Sequence, residues 1–81
     1  MKCYLGIENT DTADDQYRAV RMVQAILKSK EPKWDIETCF DKGSKYSIQK
    51  SGGLLIGKSI QTDYDMTIII NRTFAELKEN V

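Results

Sequence analysis

Three groups of residues in this 81-residue chain have types and spacings that suggest chemistry. The first is "SGGLLIGKS", residues 51–59, in which Gly52, Gly57, Lys58 and Ser59 keep the spacing of a phosphate-binding loop. In such a loop successive backbone N–H groups wrap the phosphates. The lysine reaches the β/γ-phosphates and the hydroxyl holds Mg²⁺. That chemistry needs a buried strand before the loop and a helix after the serine. Here the half-polar "KYSIQK" precedes it, and "IQTDYDMTIII", a turn and then a β-rich run, follows. Gly52-Gly53 instead fits the tight turn of a β-hairpin, with Gly57 ending or bulging the returning strand. A hairpin is the expectation.

The second group is "IENTDTADD", residues 7–15, where acids and amides crowd the end of the first predicted strand. Glu8, Asp11 and Asp14 are the candidate metal ligands, since Mg²⁺ takes one or two carboxylates and keeps several waters. A magnesium-dependent enzyme would work from this loop. The competing reading is structural: Asp, Asn and Thr satisfy the orphan N–H groups at a helix start and complement its dipole. Residues 6–12, "GIENTDT", also resemble the "GIDDTDS" opening of the archaeal enzymes that attach agmatine to a tRNA cytidine. Glu8 and Asn9 stand where that family has aspartates, and the Gly-x-Cys-Thr-Thr that follows there is missing.

The third group is cationic. Arg18, Arg21, Lys58 and Arg72 are candidates for an anion pocket at a subunit boundary, with Tyr46 or Tyr64 stacking on a base. Against all three groups stands an absence: the chain has no histidine. Ser-His-Asp and Cys-His catalysis, HExxH metalloprotease chemistry and nearly all ordinary zinc sites are excluded. Any acid–base chemistry would fall to carboxylates, lysine or tyrosine.

The elements that must position these groups follow from periodicity. "KCYLGI" alternates Cys3, Leu5 and Ile7 on one face and reads as a strand. Thr12 then caps a helix running from residue 13 to about 29, with Asp15 in the capping-box position. Ala19, Val20, Val23, Ile26 and Leu27 form its apolar stripe, with Arg18, Arg21 and Lys28 opposite. Glu31-Pro32 stops it. "WDIETCFD", residues 34–41, alternates strictly, as does a half-wet strand of an antiparallel sheet. Two short strands, at residues 45–50 and 54–57, and a strong one, at residues 64–70, follow. A last capping box, Thr73 to Glu76, opens a short helix. The predicted fold is a single α+β domain spanning residues 1–81. It is a mainly antiparallel sheet of four or five strands in the order β-α-β-β-β-β-α, with one long helix on one face and a short C-terminal helix.

Twelve Lys and Arg balance twelve Asp and Glu, so the broad positive field of a nucleic-acid binder is missing and nucleic acid is not expected as a partner. No apolar run approaches a membrane span, and "MKCYLGIENTD" has too short an apolar stretch for a signal peptide, so a cytoplasmic protein is expected. Cys3 and Cys39 are then expected as reduced thiols behaving as small hydrophobes. On the sheet face away from the helix, Tyr4, Cys39, Leu55 and Ile69 form a candidate self-association face. The expectation is a non-catalytic, cofactor-free, homodimeric binding or regulatory protein that acts on another protein. Adaptors and inhibitors encoded by viruses or mobile elements are examples of that class. The alternatives are the nucleotide or small-anion binder and the magnesium enzyme.

Overall fold

The computed structural model describes residues 1–41 and 64–79. Strand β1 (Lys2–Ile7) leads through the acidic loop into helix α1 (Ala13–Lys30), which returns the chain to strand β2 (Asp35–Thr38). Strand β3 (Met66–Ile70) and helix α2 (Phe74–Glu79) follow. The three strands form one sheet in the order β2-β1-β3, and both pairings are parallel.

The antiparallel sheet of four or five strands expected from the sequence is therefore incorrect. A helix that packs back along the sheet carries the chain to the end where β1 began, so β2 must run parallel to it. The alternation of residues 34–41 misled for a physical reason. An outer strand of a parallel sheet also has one wet side, and it alternates much as an antiparallel strand does. The eight-residue strand is in fact four residues long, because Asp41 folds back onto it. The Asp41 N–H donates to the Thr38 carbonyl (3.2 Å), and the Asp41 carboxylate accepts the Thr38 N–H (2.8 Å). The strands expected at residues 45–50 and 54–57, and the hairpin between them, lie outside the described residues.

Helix α1 begins at the predicted cap. Thr12 Oγ1 accepts the Asp15 N–H at 3.3 Å, while Asp14 and Asp15 sit at the positive end and Lys28 and Lys30 at the negative end. Arg18 pairs with Asp15 (2.9 Å) on an exposed surface, a contact worth at most ~1 kcal/mol. The Glu31 N–H closes the last turn on Leu27, and Pro32 cannot continue it.

The register places Cys3, Leu5 and Ile7 on one sheet face with Ile36, Met66, Ile68 and Ile70, while Tyr4 and Gly6 share the other with Glu37, Thr67 and Ile69. The core gathers Leu5, Val20, Cys39, Tyr64, Ile70 and Tyr4, with Val23 and Leu27 of α1 and Leu77 of α2 packed against it. Tyr4 and Tyr64 meet with ring centroids 5.3 Å apart. Gly6 makes that face possible, because a Cβ there would lie 3.0 Å from Ile69 Cδ1 and 3.1 Å from Tyr4 Cε2. Among the described residues no helix is long and apolar enough to cross a membrane.

Candidate functional site

Two polar clusters occupy the described surface. The first joins the loop after β1 to the loop after β3, at the carboxyl ends of neighbouring strands. The Glu8 N–H donates to the Ile70 carbonyl (2.8 Å), which draws the two loops together. Asn9 then takes up both. Its Nδ2 donates to the Arg72 carbonyl (2.9 Å), and its Oδ1 accepts the Asp11 N–H (2.9 Å) and a long bond from Gln16 Nε2 (3.4 Å). Gln16 Nε2 also reaches the Asn9 carbonyl (3.2 Å). Asp11 Oδ2 accepts the Phe74 N–H (2.8 Å) and a weaker bond from Asn9 Nδ2 (3.3 Å). Asp11 therefore caps the start of α2 from a loop 63 residues away in sequence.

Thr73 and Glu76 complete that end as a reciprocal capping box. The Thr73 N–H donates to Glu76 Oε1 (3.0 Å) and the Glu76 N–H to Thr73 Oγ1 (3.3 Å). The Thr73 backbone bond first, and then its hydroxyl, hold the Glu76 carboxyl below its ordinary range. Of the predicted cation ligands, Asp11 is thus engaged with backbone, while Glu8 and Asp14 are exposed. Among the described residues no three such groups converge as a metal site would require.

The second cluster lies at the carboxyl end of β2. One guanidinium nitrogen, Arg21 Nη1, reaches Gln24 Oε1 (2.8 Å), Asp41 Oδ1 (3.1 Å) and, at longer range, Thr38 Oγ1 (3.4 Å). The guanidinium lies 4.9 Å from the centroid of the Tyr17 ring, which meets Phe40 edge-on at 5.6 Å. Tyr17 first, and then Asp41, keep Arg21 more firmly protonated than usual against its partial burial. For Asp41, burial opposes ionisation, but the Thr38 N–H, the guanidinium and the Thr38 hydroxyl outweigh it and lower the carboxyl pKa.

Beside this cluster an open groove of about 360 Å³ runs between α1 and β2, lined by Arg21, Gln24, Ala25, Lys28, Asp35 and Ile36. Lys28 Nζ donates to the Trp34 carbonyl at its far end (2.7 Å).

The predicted cations are therefore distributed. Arg18 pairs with Asp15 and Arg21 with Asp41, both from α1, whereas Arg72 lies in the loop before α2 and its carbonyl receives Asn9. Lys58 lies outside the described residues. Of the predicted self-association face, Tyr4 and Cys39 are buried, Ile69 is 43% exposed, and Leu55 lies outside the described residues. Cys3 is buried too, and burial raises its thiol pKa.

Sequence reasoning missed Asn9, Asp41 and the groove. The groove carried a signal: positions 21, 24, 25 and 28 follow the i, i+3, i+4, i+7 spacing of one helix stripe. The Arg72 partner of Asn9 carried none, since it lies 63 residues away in the loop after β3. No protein-family model, curated protein or solved structure matches the chain.

Proposed function

We propose that this chain is a small non-catalytic binding protein that acts as a homodimer on a protein partner, in the manner of an adaptor or inhibitor. One observation carries the reading. Open parallel sheets bind ligands outside the carboxyl ends of their strands. Here Asn9 and Asp11 occupy that place as ties between two loops, with Gln16 bracing Asn9, and not as groups aimed at a substrate. Ile69, exposed on the sheet face away from α1, supports self-association. A second chain there would add burial to the modest core of a domain this size. Two buried thiols suit a reducing, cytoplasmic setting.

A second reading, a nucleotide or small-anion binder, is favoured by Arg21 and Lys28 lining one groove. Thermal unfolding with ATP, cyclic AMP, inorganic phosphate and Mg²⁺, beside light scattering of the eluted protein, separates the two. The first reading expects a dimer mass and an unmoved midpoint. A ligand at about 100 times its Kd adds about 2.7 kcal/mol, or roughly 10–20 °C in a domain this small. Such a shift with a nucleotide would overturn it in favour of the second.

A further inference from the structure

Among the described residues, β2 is an outer strand whose free edge is closed at both ends and open in the middle. The Asp35 and Cys39 N–H groups donate inward, to the Met1 and Leu5 carbonyls of the β1 segment (2.8 and 3.0 Å). Alternation along a strand then turns the backbones of Trp34, Ile36 and Thr38 outward. Lys28 Nζ covers the Trp34 carbonyl, and the Asp41 carboxylate covers the Thr38 N–H. Side-chain plugs of this kind keep an edge strand from pairing along its whole length. Between the plugs, the N–H and C=O of Ile36 have no partner among the described residues, and Ile36 forms part of the groove.

The opposite wall supplies charge. Arg21 lines the groove with Nη1 engaged by three acceptors and its guanidinium also held by Tyr17, whereas Lys28 Nζ bonds a neutral carbonyl and has no carboxylate partner among the described residues. Ala25 between them leaves room. Asp35 marks the strand side, so negative charge is favoured toward α1 alone.

We propose that this groove binds an acidic protein segment in extended form. One residue of the segment exchanges both backbone hydrogen bonds with Ile36, and carboxylates on the side facing α1 meet Arg21 and Lys28. Alternate residues of an extended segment face the same way about 7 Å apart. Arg21 and Lys28 are separated along the helix by about 10 Å, a difference that their long side chains span. Strand addition of this type takes affinity from main-chain bonds and specificity from alternate side chains. The inference deepens the reading as a protein-binding module and rests on it.

Fluorescence anisotropy of a labelled, blocked Gly-Glu-Val-Glu-Gly peptide tests it against the wild-type chain. A Gly-Lys-Val-Lys-Gly peptide serves as control, beside an acidic analogue N-methylated at both glutamates, since the residue paired with Ile36 shares its face toward α1. The acidic peptide binds and the basic one does not. N-methylation, which removes the donor for the Ile36 carbonyl, weakens binding at least tenfold. Ala25→Glu, an exposed helix position, weakens it by a similar factor without unfolding the protein. No binding of the acidic peptide, or equal binding by the N-methylated analogue or the Ala25→Glu variant, overturns the proposal. Those outcomes leave the dimer mass and nucleotide response untouched, so the failure of this inference is distinguishable from that of the broader reading.

Discussion

The two polar clusters use the same chemistry for opposite ends. At the carboxyl ends of β1 and β3, Asn9 and Asp11 bond backbone groups of the Arg72–Phe74 turn and so tie the first loop of the chain to the last. At the edge of β2, Asp41 and Lys28 bond backbone groups of their own neighbourhood and stop a strand from extending. The first cluster is long-range and closes a surface. The second is short-range and, among the described residues, leaves one residue of edge open beside Arg21 and Lys28. Satisfied polar groups hold a fold together, whereas an unsatisfied backbone pair in a groove invites a partner.

Breaking the first cluster has the larger effect. Asn9→Ala removes the donor to the Arg72 carbonyl and the acceptor for the Asp11 N–H together. A loss of about 2 kcal/mol is expected, or roughly 8–16 °C in thermal midpoint. Calorimetry checks it. A drop no larger than that of an exposed alanine substitution would mean that the loops are held by packing alone.

Asp41→Ala should cost less, about 1 kcal/mol, because the carboxylate it removes is one-third exposed and water can take its place beside the Thr38 N–H and Arg21. The same carboxyl gives a pH signature. Its folded pKa is depressed, so its contribution is fully present above the unfolded value, near 3.8, and disappears as the pH falls through the lower folded value. The difference in stability between wild type and Asp41→Ala should therefore narrow as acid unfolding is followed below about pH 4. A constant difference would place the effect in geometry instead of charge.

Thiol labelling sharpens the comparison further. Cys3 sits within β1, the central strand of the described sheet, whereas Cys39 lies in the turn that Asp41 closes. Asp41→Ala should raise the labelling rate of Cys39 several-fold and leave that of Cys3 near its wild-type value. Asn9→Ala should act on both through global unfolding. Equal acceleration of both thiols by Asp41→Ala would show that the β2 turn does not open by itself.

How much of this was readable in the sequence depends on range. Thr12, the apolar stripe of α1 and the Thr73–Glu76 box are local signals, and each places its element within a residue or two. Strand direction is not local. A one-sided alternation such as Asp35-Ile36-Glu37-Thr38 reports that one side is wet, and both an antiparallel strand and an outer parallel strand satisfy it. The strand–helix–strand order was the better evidence, because it constrains direction through connectivity. By its alternation Asp41 reads as one more residue of a strand, and only its bond back to the Thr38 N–H reveals a terminator. In the acidic loop the residue types announced capping but not its target. Asp11 caps α2 and not α1, a fact that no spacing within residues 7–15 contains.

The smallest expected effect is the one that isolates function from folding. Ala25 is exposed on α1 between Arg21 and Lys28. A glutamate is a good helix former and removes no hydrogen bond there, so Ala25→Glu should change stability by no more than about 0.5 kcal/mol. It does place a negative charge one turn from each cation, at the i+4 position from Arg21 and the i−3 position from Lys28, where helix side chains meet. The groove then loses its attraction for acidic segments while both plugs of the β2 edge stay in place. A variant that melts with wild type yet no longer binds would separate the open edge from the closed surface by recognition alone. A variant that melts well below wild type would show that Ala25 helps to set the α1–β2 packing, and the two clusters would then differ in strength but not in kind.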